Sequence, residues 1–282
     1  MKKIGVILLT ITMGLSLFVG CGGNTKTSIG GKENSSTAST SDGKTDTSLE
    51  KVKEAGKLVI GLDDGYPPME FRDEKNNLVG FDVDFANEIG KKLGVKVEFM
   101  PTEWNGILLA LQSKKFDAII AGLNITEERK KSIDFSEPYV MGGQVIAIKG
   151  GNKSIKTLAD LKGKIIGCQL GSTGQKSAED NLKDIKELKK YEKITQAFSE
   201  LTIGRIDAVI MDAQVGGYYI SKKPGEFEVL NEMVSEEPMG IGYRKGDKEL
   251  KDEIQKIVDE LEKDGTLSKL SIKWFGYDAY KK

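Results

Sequence analysis

The sequence contains no histidine and only two cysteines, Cys21 and Cys168. Without histidine the chain has no Ser-His-Asp or Cys-His catalytic group, no imidazole ligand for zinc and no imidazole proton shuttle. Two cysteines are too few for a disulfide framework or a four-cysteine zinc site. We therefore expect no enzyme of these classes. The paired acids Asp63/Asp64 and Asp82/Asp84 lack EF-hand spacing, and no Walker or dinucleotide loop is present, so we expect no metal and no cofactor.

The chain also lacks an excess of charge of either sign. Its 42 Lys and Arg residues nearly balance 43 Asp and Glu residues, for a net charge of −1. This balance gives no electrostatic reason to expect a nucleic acid as partner. The length of 282 residues is enough for one large domain or two ordinary ones.

An apolar stretch near the N-terminus is shorter than a membrane-spanning helix. It runs for 16 residues from Ile4 to Val19, whereas a spanning helix needs about 20. With its basic start, this stretch predicts a signal peptide over residues 1–20. The small residues before Cys21 resemble the lipobox of bacterial lipoproteins, with Phe18 where leucine is more common. That resemblance implies lipidation at Cys21, with acyl chains such as palmitate; the alternative is an ordinary secretory signal.

Small and polar residues dominate the next segment, 21–49. Nineteen of the 27 residues from 22 to 48 are Gly, Ser, Thr or Asn. Such a composition cannot bury enough apolar surface to fold, so it predicts a flexible linker that spans roughly 30 Å. Together with a lipidated Cys21, the linker implies a protein anchored to the outer face of the cell membrane.

Strand and helix patterns alternate from about residue 55 onwards. Apolar residues lie on one side of a predicted helix from Phe81 to Leu93, and a buried strand is predicted from Phe116 to Ala121. Further strands are predicted at 58–60, 95–99, 164–168 and 206–211, and further helices at 104–112, after 172, after 211, at 247–263 and at 266–274. This alternation predicts an α/β fold with largely parallel sheets.

One short pattern occurs twice, 90 residues apart. Segments 111–120 and 201–210 each begin with Leu and continue, six positions later, with Asp-Ala, an aliphatic residue and Ile. Two interpretations stay open. Either two helix–turn–strand units have converged on one solution, or two lobes of similar build present their strand ends to a shared cleft.

Five groups of motifs follow one another along residues 50–280: Gly61–Phe71 with Val79–Phe85, Ala121–Arg129 with Ile133–Tyr139, Leu158–Lys164 with Gly171–Gly174, Gly204–Asp212, and Lys273–Gly276. In this order they resemble the bacterial extracellular solute-binding proteins of family 3, which bind polar amino acids. The resemblance implies a two-lobed periplasmic-binding-protein fold of type II, the Venus-flytrap arrangement, with two hinge strands. Lobe 1 is expected at 50–141 and 240–282, and lobe 2 with the hinge strands at 142–239.

The resemblance also implies a set of ligand-binding residues. Arg129 matches the family's carboxylate-binding arginine, whose planar guanidinium suits a carboxylate. Thr126 is expected to cap the helix that carries Arg129. Asn124 stands where the family usually has Ser or Thr, and Gly122, next to Ala121, leaves room for a ligand to approach the backbone.

Three further residues of this set are expected in lobe 2. Ser172 and Thr173 lie at the predicted N-terminus of a helix, where backbone amides favour an anion. Asp212 matches the family's ammonium-binding acid. For these residues, as for the others, a purely structural role as a cap or a core side chain is the alternative.

The side chain of the ligand is expected to meet Asp63, Tyr66, Trp104 and Gln169. Two aromatic rings and a carboxylate suit a cationic side chain through cation–π contact and ion pairing. Arginine or lysine is therefore the first expectation. Histidine, glutamine and cystine are alternatives, since Asp63 also occurs in the family's binders of neutral polar amino acids.

The resulting hypothesis is a monomeric substrate-binding lipoprotein that captures a free L-amino acid and delivers it to an ABC permease and its ATPase. One alternative is an enzyme on the same fold, similar to the cyclohexadienyl dehydratases, and another is a ligand-sensing ectodomain. The cleft acids Asp63 and Asp212 already have binding roles, which favours binding over catalysis.

Overall fold

The computed structural model of the protein describes residues 46–281. The predicted signal peptide, Cys21 and the predicted linker up to residue 45 lie outside these residues. Within the described part, no helix combines the length and the apolar character needed to cross a membrane.

Residues 46–281 contain thirteen strands, nine α-helices and two short 3-10 helices at Trp104–Gly106 and Leu158–Leu161. The strands are β1 Lys57–Leu62, β2 Gly65–Tyr66, β3 Glu70–Arg72, β4 Leu78–Val79, β5 Lys96–Pro101, β6 Ala118–Ile119, β7 Ile133–Phe135, β8 Val140–Lys149, β9 Ile165–Gln169, β10 Glu187–Tyr191, β11 Ala208–Asp212, β12 Phe227–Met239 and β13 Gly242–Arg244. The helices are α1 Ser48–Ala55, α2 Phe81–Leu93, α3 Ile107–Gln112, α4 Glu127–Lys130, α5 Thr173–Asn181, α6 Ile194–Thr202, α7 Ala213–Lys222, α8 Lys248–Lys263 and α9 Thr266–Phe275.

Two five-stranded sheets form the framework, and each is the centre of one lobe. The first sheet has the order β5-β1-β6-β13-β7, and the second has the order β10-β9-β11-β8-β12. In the first sheet, β1 pairs in parallel with both β5 and β6, and in the second sheet, β9 pairs in parallel with both β10 and β11. Strands β13, β7, β8 and β12 run antiparallel to their neighbours. The predicted α/β class is confirmed.

Helix α2 shows how apolar spacing places an element. Phe81, Phe85 and Ile89 recur on one face and are fully buried, as expected of an amphipathic helix. Gly94, at φ 77°, ends the helix in the left-handed conformation and donates its N–H to Gly90 O. The structure has the predicted bounds, Phe81–Leu93.

Helix α1 was not predicted. It begins at Ser48, two residues before the expected lobe boundary, and buries only one apolar side chain, Val52. Its position depends on tertiary contacts, since the hydroxyl of Ser48 accepts the N–H of Leu250 at the start of α8. A helix with so little apolar surface gives no periodic signal in the sequence.

The repeated sequence pattern marks the same construction in both lobes. In the first lobe, Asp117 donates its N–H to Val59 O (2.8 Å) and accepts the N–H of Val59 at its carboxylate (2.9 Å). In the second lobe, Asp207 makes the same two bonds with Ile165, both at 2.8 Å. Each aspartate thus ties its turn to the neighbouring parallel strand. This correspondence favours two lobes of similar build.

The chain passes between the lobes twice, and the two passages are bonded to each other. Residues 136–139 lead from β7 to β8, and a two-residue segment leads back from β12 to β13. Ser136 donates its N–H to Ile241 O (3.0 Å), and Tyr139 donates its N–H to Met239 O (2.9 Å). Adjacent passages of this kind allow hinge motion of one lobe against the other.

Candidate functional site

A small cavity lies where the carboxyl ends of parallel strands from both lobes meet. It is lined by Tyr66, Trp104, Ala121, Gly122, Asn124, Gln169, Ser172, Thr173 and Asp212. Open α/β sheets bind ligands at this edge, because the side chains that follow the strands converge there. The cavity volume of about 10 Å³ is about what one water molecule requires. An amino acid can therefore enter only when the lobes separate.

Asp212, the last residue of β11, collects hydrogen bonds across the cleft. Its carboxylate accepts from Tyr66 Oη (2.5 Å) and Asn124 Nδ2 (2.9 Å) of the first lobe, and from Gln144 Nε2 (2.8 Å) of β8. Burial raises the pKa of Asp212 to about 6, although the bonds from Tyr66 and Asn124 act against this rise. A positively charged group in the cavity would favour the ionised carboxylate.

Glu237 of β12 is a second carboxylate in this network. Its Oε2 accepts from Asn124 Nδ2 (2.8 Å) and Gln144 Nε2 (3.3 Å), the same amides that serve Asp212. The charge of Glu237 also raises the pKa of Asp212. Of these two acids and two amides, Asp212 and Asn124 line the cavity, and Glu237 and Gln144 are bonded behind them. The acid that faces the cavity, Asp212, suits an ammonium group.

Arg129 places a buried guanidinium at the mouth of the cavity. Its Nη1 donates to Asn124 O (2.8 Å) and its Nη2 to Gly171 O of the second lobe (3.4 Å), while the guanidinium carbon lies 5.4 Å from the ring centroid of Trp104. Thr126 caps α4 by accepting the N–H of Arg129 (3.1 Å). Both acceptors of the guanidinium are neutral carbonyls, so its charge remains suited to a carboxylate.

Ser172 and Thr173 lie at the N-terminus of α5. Ser172 Oγ accepts the N–H of Gln175 (3.0 Å), which caps the helix, and Thr173 Oγ1 accepts from Gln144 Nε2 (3.1 Å). Helix α5 has nine residues, and both Ser172 and Thr173 line the cavity. A capping role and a role beside an anionic ligand group are compatible here.

Gly122 forms part of the cavity wall through its backbone. It adopts φ 52°, and its N–H donates to Asp82 Oδ2 (2.6 Å), which also accepts from Tyr139 Oη (3.1 Å). Burial raises the pKa of Asp82 to about 7, although these two bonds lower it. Asp82 is fully buried in the first lobe, so it fixes the loop that carries Gly122.

Asp63 lies behind the cavity wall, at the end of β1. Its Oδ2 accepts from Gln169 Nε2 (2.5 Å), and its Oδ1 lies 3.3 Å from Lys193 Nζ. Burial raises the pKa of Asp63, although the charge of Lys193 and the bond from Gln169 lower it. Trp104, which also lines the cavity, donates its Nε1 to Gly171 O (3.2 Å), another bond between the lobes.

The structure brings most of the predicted binding residues together. Nine of them line the cavity. Asp63 does not line it but is hydrogen-bonded to Gln169, which does. Thr126 and Arg129 line an adjoining opening, which Ser172 and Thr173 also line.

Sequence reasoning missed three residues of this network: Gln144, Glu237 and Lys193. Gln144 and Glu237 lie on the paired strands β8 and β12, and their place beside Asp212 follows from strand pairing rather than from a motif. Lys193 did carry a signal, because a lysine precedes a helix where Ser, Thr, Asp or Asn is preferred.

Within residues 46–281, no group of three or more His, Cys, Asp or Glu side chains is arranged to hold a metal ion. The acids of the site are instead bonded to amides, hydroxyls and Lys193.

Comparison with known proteins gives the family. The model of the bacterial extracellular solute-binding proteins, family 3, matches residues 58–277. The L-cystine-binding protein TcyJ of Escherichia coli (strain K12) is 38% identical over 234 residues, which cover 83% of this chain and 88% of that protein.

Two solved structures have the same fold. An ancestral arginine-binding protein bound to arginine has a TM-score of 0.74 and 49% identity, with 78% of this chain and 99% of that chain covered. The ancestral amino acid-binding protein AncCDT-1, a precursor of cyclohexadienyl dehydratase, has a TM-score of 0.77 and 40% identity. The match covers 80% of this chain and 99% of that chain.

The chain belongs to the bacterial extracellular solute-binding proteins of family 3 and has their two-lobed fold. The expected membership is confirmed. Membership in an extracellular family also supports an extracytoplasmic location.

Proposed function

We propose that the protein captures a polar L-amino acid between its lobes and is the substrate-binding component of an ABC importer. The observation that carries the proposal is the cavity, which nine residues of the expected binding set line from both lobes. An amino acid carries a carboxylate and an ammonium, and Arg129 and Asp212 supply groups of the opposite charge. Relatives named for binding amino acids support the same role.

Two ligand classes have support. A basic side chain, arginine or lysine, fits a pocket with Asp63, Tyr66 and Trp104, and a similar ancestral protein binds arginine. A cystine ligand has the support of TcyJ, an L-cystine-binding protein. Both classes use the same contacts for the α-carboxylate and the α-ammonium, so they differ only at the end of the cavity near Asp63.

Calorimetric titration with the twenty amino acids, ornithine and cystine tests the proposal. We expect saturable binding of at least one of them, and a much weaker affinity for Asp212→Asn, which removes the charge opposite the ammonium. Glu236→Gln, an exposed neighbour of the network on β12, is the control and should bind normally. The absence of binding to every amino acid would refute the proposal.

A cyclohexadienyl dehydratase activity is the enzymatic alternative. Incubation with prephenate or arogenate should give no product, since Asp63 and Asp212 already accept hydrogen bonds from Gln169 and Tyr66. Turnover of either compound without amino-acid binding would reverse the assignment from binding protein to enzyme.

The lipid anchor is part of the proposal and concerns residues outside the described range. Cys21→Ser should move the protein from the membrane fraction to the soluble fraction without changing ligand affinity. Cys168→Ala is the matched control, because Cys168 is buried in β9 and has no surface to modify. Unchanged membrane retention of Cys21→Ser would contradict lipidation.

Delivery to a permease and its ATPase is tested in cells. Loss of the protein should abolish high-affinity uptake of the radiolabelled ligand, and the wild-type chain should restore it. A chain with Arg129→Ala should not restore uptake, because the ligand is no longer captured. Normal uptake without the protein would assign it a role other than import.

A further inference from the structure

Lys193 occupies a position that local helix stability does not explain. It precedes α6 with φ −124° and ψ 142°, and its own N–H donates to Gln196 Oε1 (3.1 Å). Side chains that accept hydrogen bonds are preferred at this position, and the positive end of the helix dipole disfavours a cation there. Residues that break a local rule are expected at functional sites.

The side chain of Lys193 crosses the cleft. Its Nζ lies 2.6 Å from Asp64 Oδ1 and 3.3 Å from Asp63 Oδ1, both in the first lobe. Gly65 leaves room for the lysine stem, since a Cβ there would lie 2.8 Å from Lys193 Cδ. Burial lowers the pKa of Lys193, but the bond with Asp64 and the charges of both carboxylates outweigh it and raise the pKa. The lysine therefore keeps its charge.

The charges around Asp63 are balanced. Arg72 Nε donates to Asp64 Oδ2 (2.9 Å), so Asp63 and Asp64 stand beside two cations, Lys193 and Arg72. Gln169 connects this group to the cavity, because its amide donates to Asp63 and lines the cavity wall. A positive and a negative group thus lie directly behind Gln169 at this end of the cavity, where they become accessible if a ligand displaces the Gln169 amide.

We infer that Lys193 is a specificity-determining residue that adapts this end of the cavity to an amino acid whose side chain ends in an ammonium and a carboxylate together. The inference rests on the proposed amino-acid-binding function. A side chain with positive charge alone must compete with Lys193 for Asp63 and brings a further cation beside it. A side chain that carries both charges meets Asp63 with its ammonium and Lys193 with its carboxylate, and the local charge stays balanced.

L-Cystine is the probe for this class, because both of its ends carry an ammonium and a carboxylate. L-Arginine is the probe for a cationic side chain, and L-glutamine is the probe for an uncharged one. The dissociation constant of each is measured by calorimetry for the wild-type chain and for Lys193→Met, which keeps the unbranched apolar stem and removes the charge. Lys190→Met is the matched control, since Lys190 pairs with Glu179 on the surface of the second lobe.

We expect the wild-type chain to bind L-cystine more tightly than L-arginine. In Lys193→Met the affinity for L-cystine should fall at least tenfold, the affinity for L-arginine should stay equal or rise, and L-glutamine should change little. Lys190→Met should leave all three constants unchanged. Lys193→Gln provides a second uncharged variant, and unchanged circular dichroism establishes that the variant is folded.

Three results would overturn the inference. In the first, the wild-type chain binds L-arginine more tightly than L-cystine. In the second, Lys193→Met changes all three dissociation constants equally, and in the third it changes none of the three. An equal change of the three constants would mean that Lys193 stabilises the closed lobes with every ligand and does not distinguish between ligands. A wild-type chain that binds no amino acid would instead refute the proposed function, so the two failures are distinguishable.

Discussion

At the scale of single residues, Arg129 is expected to recognise the carboxylate that all amino acids share. Arg129→Ala leaves that carboxylate desolvated without a partner, which costs on the order of 2–5 kcal/mol. At about 1.4 kcal/mol per tenfold change, the dissociation constant should rise roughly thirtyfold to several thousandfold for every ligand. Calorimetric titration of several ligands measures this. Lys130→Ala, an exposed neighbour on α4, is the control, and a loss confined to some ligands would contradict the assignment.

Asp212 gives a prediction about pH. Its folded-state pKa is raised from 3.8 to about 6 by burial. Its stabilisation of the ligand-free protein is therefore complete below about pH 4 and is lost as the pH rises through about 6. Ligand affinity changes with pH in the opposite direction, because the ligand's ammonium pairs with the ionised carboxylate. Below about pH 6 the dissociation constant should rise by up to tenfold per pH unit.

Titrations between about pH 4.5 and 7.5 measure this dependence, since the ligand's α-carboxylate and α-ammonium keep their charges in that range. In Asp212→Asn the affinity should be weak and nearly independent of pH. A wild-type affinity that is flat across this range would show that Asp212 does not pair with the ligand.

The sequence predicts residues of the site where one motif holds both the residue and its partner. Thr126 and Arg129 are an example, because the cap and the guanidinium belong to one short helix. It does not predict Gln144, Glu237 or Lys193, whose partners Asp212 and Asp63 are distant in the chain. Their roles arise only when strands pair or when the lobes meet across the cleft.

At the scale of elements, the paired strands β8 and β12 should depend on Gly143. A Cβ on Gly143 would lie 2.1 Å from Ser235 O of the partner strand, a distance that the backbone cannot tolerate. Gly143→Ala should therefore destabilise the protein by about 1–3 kcal/mol and weaken ligand binding, because the adjacent Gln144 donates to Asp212. Thermal unfolding and calorimetry measure the two effects.

Gly217 of α7 provides the matched control for this substitution. Apart from its chain neighbours and the nearby backbone of its own helix, no atom lies within 4 Å of a Cβ on Gly217. Alanine favours a helix interior by roughly 0.5–1 kcal/mol. Gly217→Ala should therefore be neutral or slightly stabilising. Equal effects of the two substitutions would show that the approach of Gly143 to β12 is unimportant.

The two longest helices were predicted with nearly correct bounds, whereas helix α6 was missed although it buries Ile194, Phe198 and Leu201 on one face. Helix α2 and helix α8 have a periodic apolar face, and their bounds agree with the prediction to within one residue. Strand β10, which was also missed, has no such face, since its sequence, Glu-Leu-Lys-Lys-Tyr, has a single aliphatic side chain and is stabilised by pairing along β9. Edge strands of this kind are defined by their neighbours rather than by their own composition.

At the scale of the whole molecule, binding should couple to closure of the lobes. The bonds Tyr66–Asp212, Gln169–Asp63 and Trp104–Gly171 join the lobes directly, and the cavity between them is too small to admit an amino acid without separation. A ligand that contacts both lobes favours the closed state over the open one. In small-angle scattering, the radius of gyration of the free protein should therefore exceed that of the ligand-bound protein.

The same coupling predicts a stability change in the described two-lobed unit. Ligand at one hundred times its dissociation constant stabilises the folded state by about 2.7 kcal/mol, which for a chain of this size raises Tm by roughly 5–11 °C. Arg129→Ala at the same ligand concentration should show a much smaller rise, because the site is then only partly occupied. A full rise in Tm with an unchanged radius of gyration would mean that the ligand binds without moving the lobes, and closure would then not be the signal that a permease could recognise.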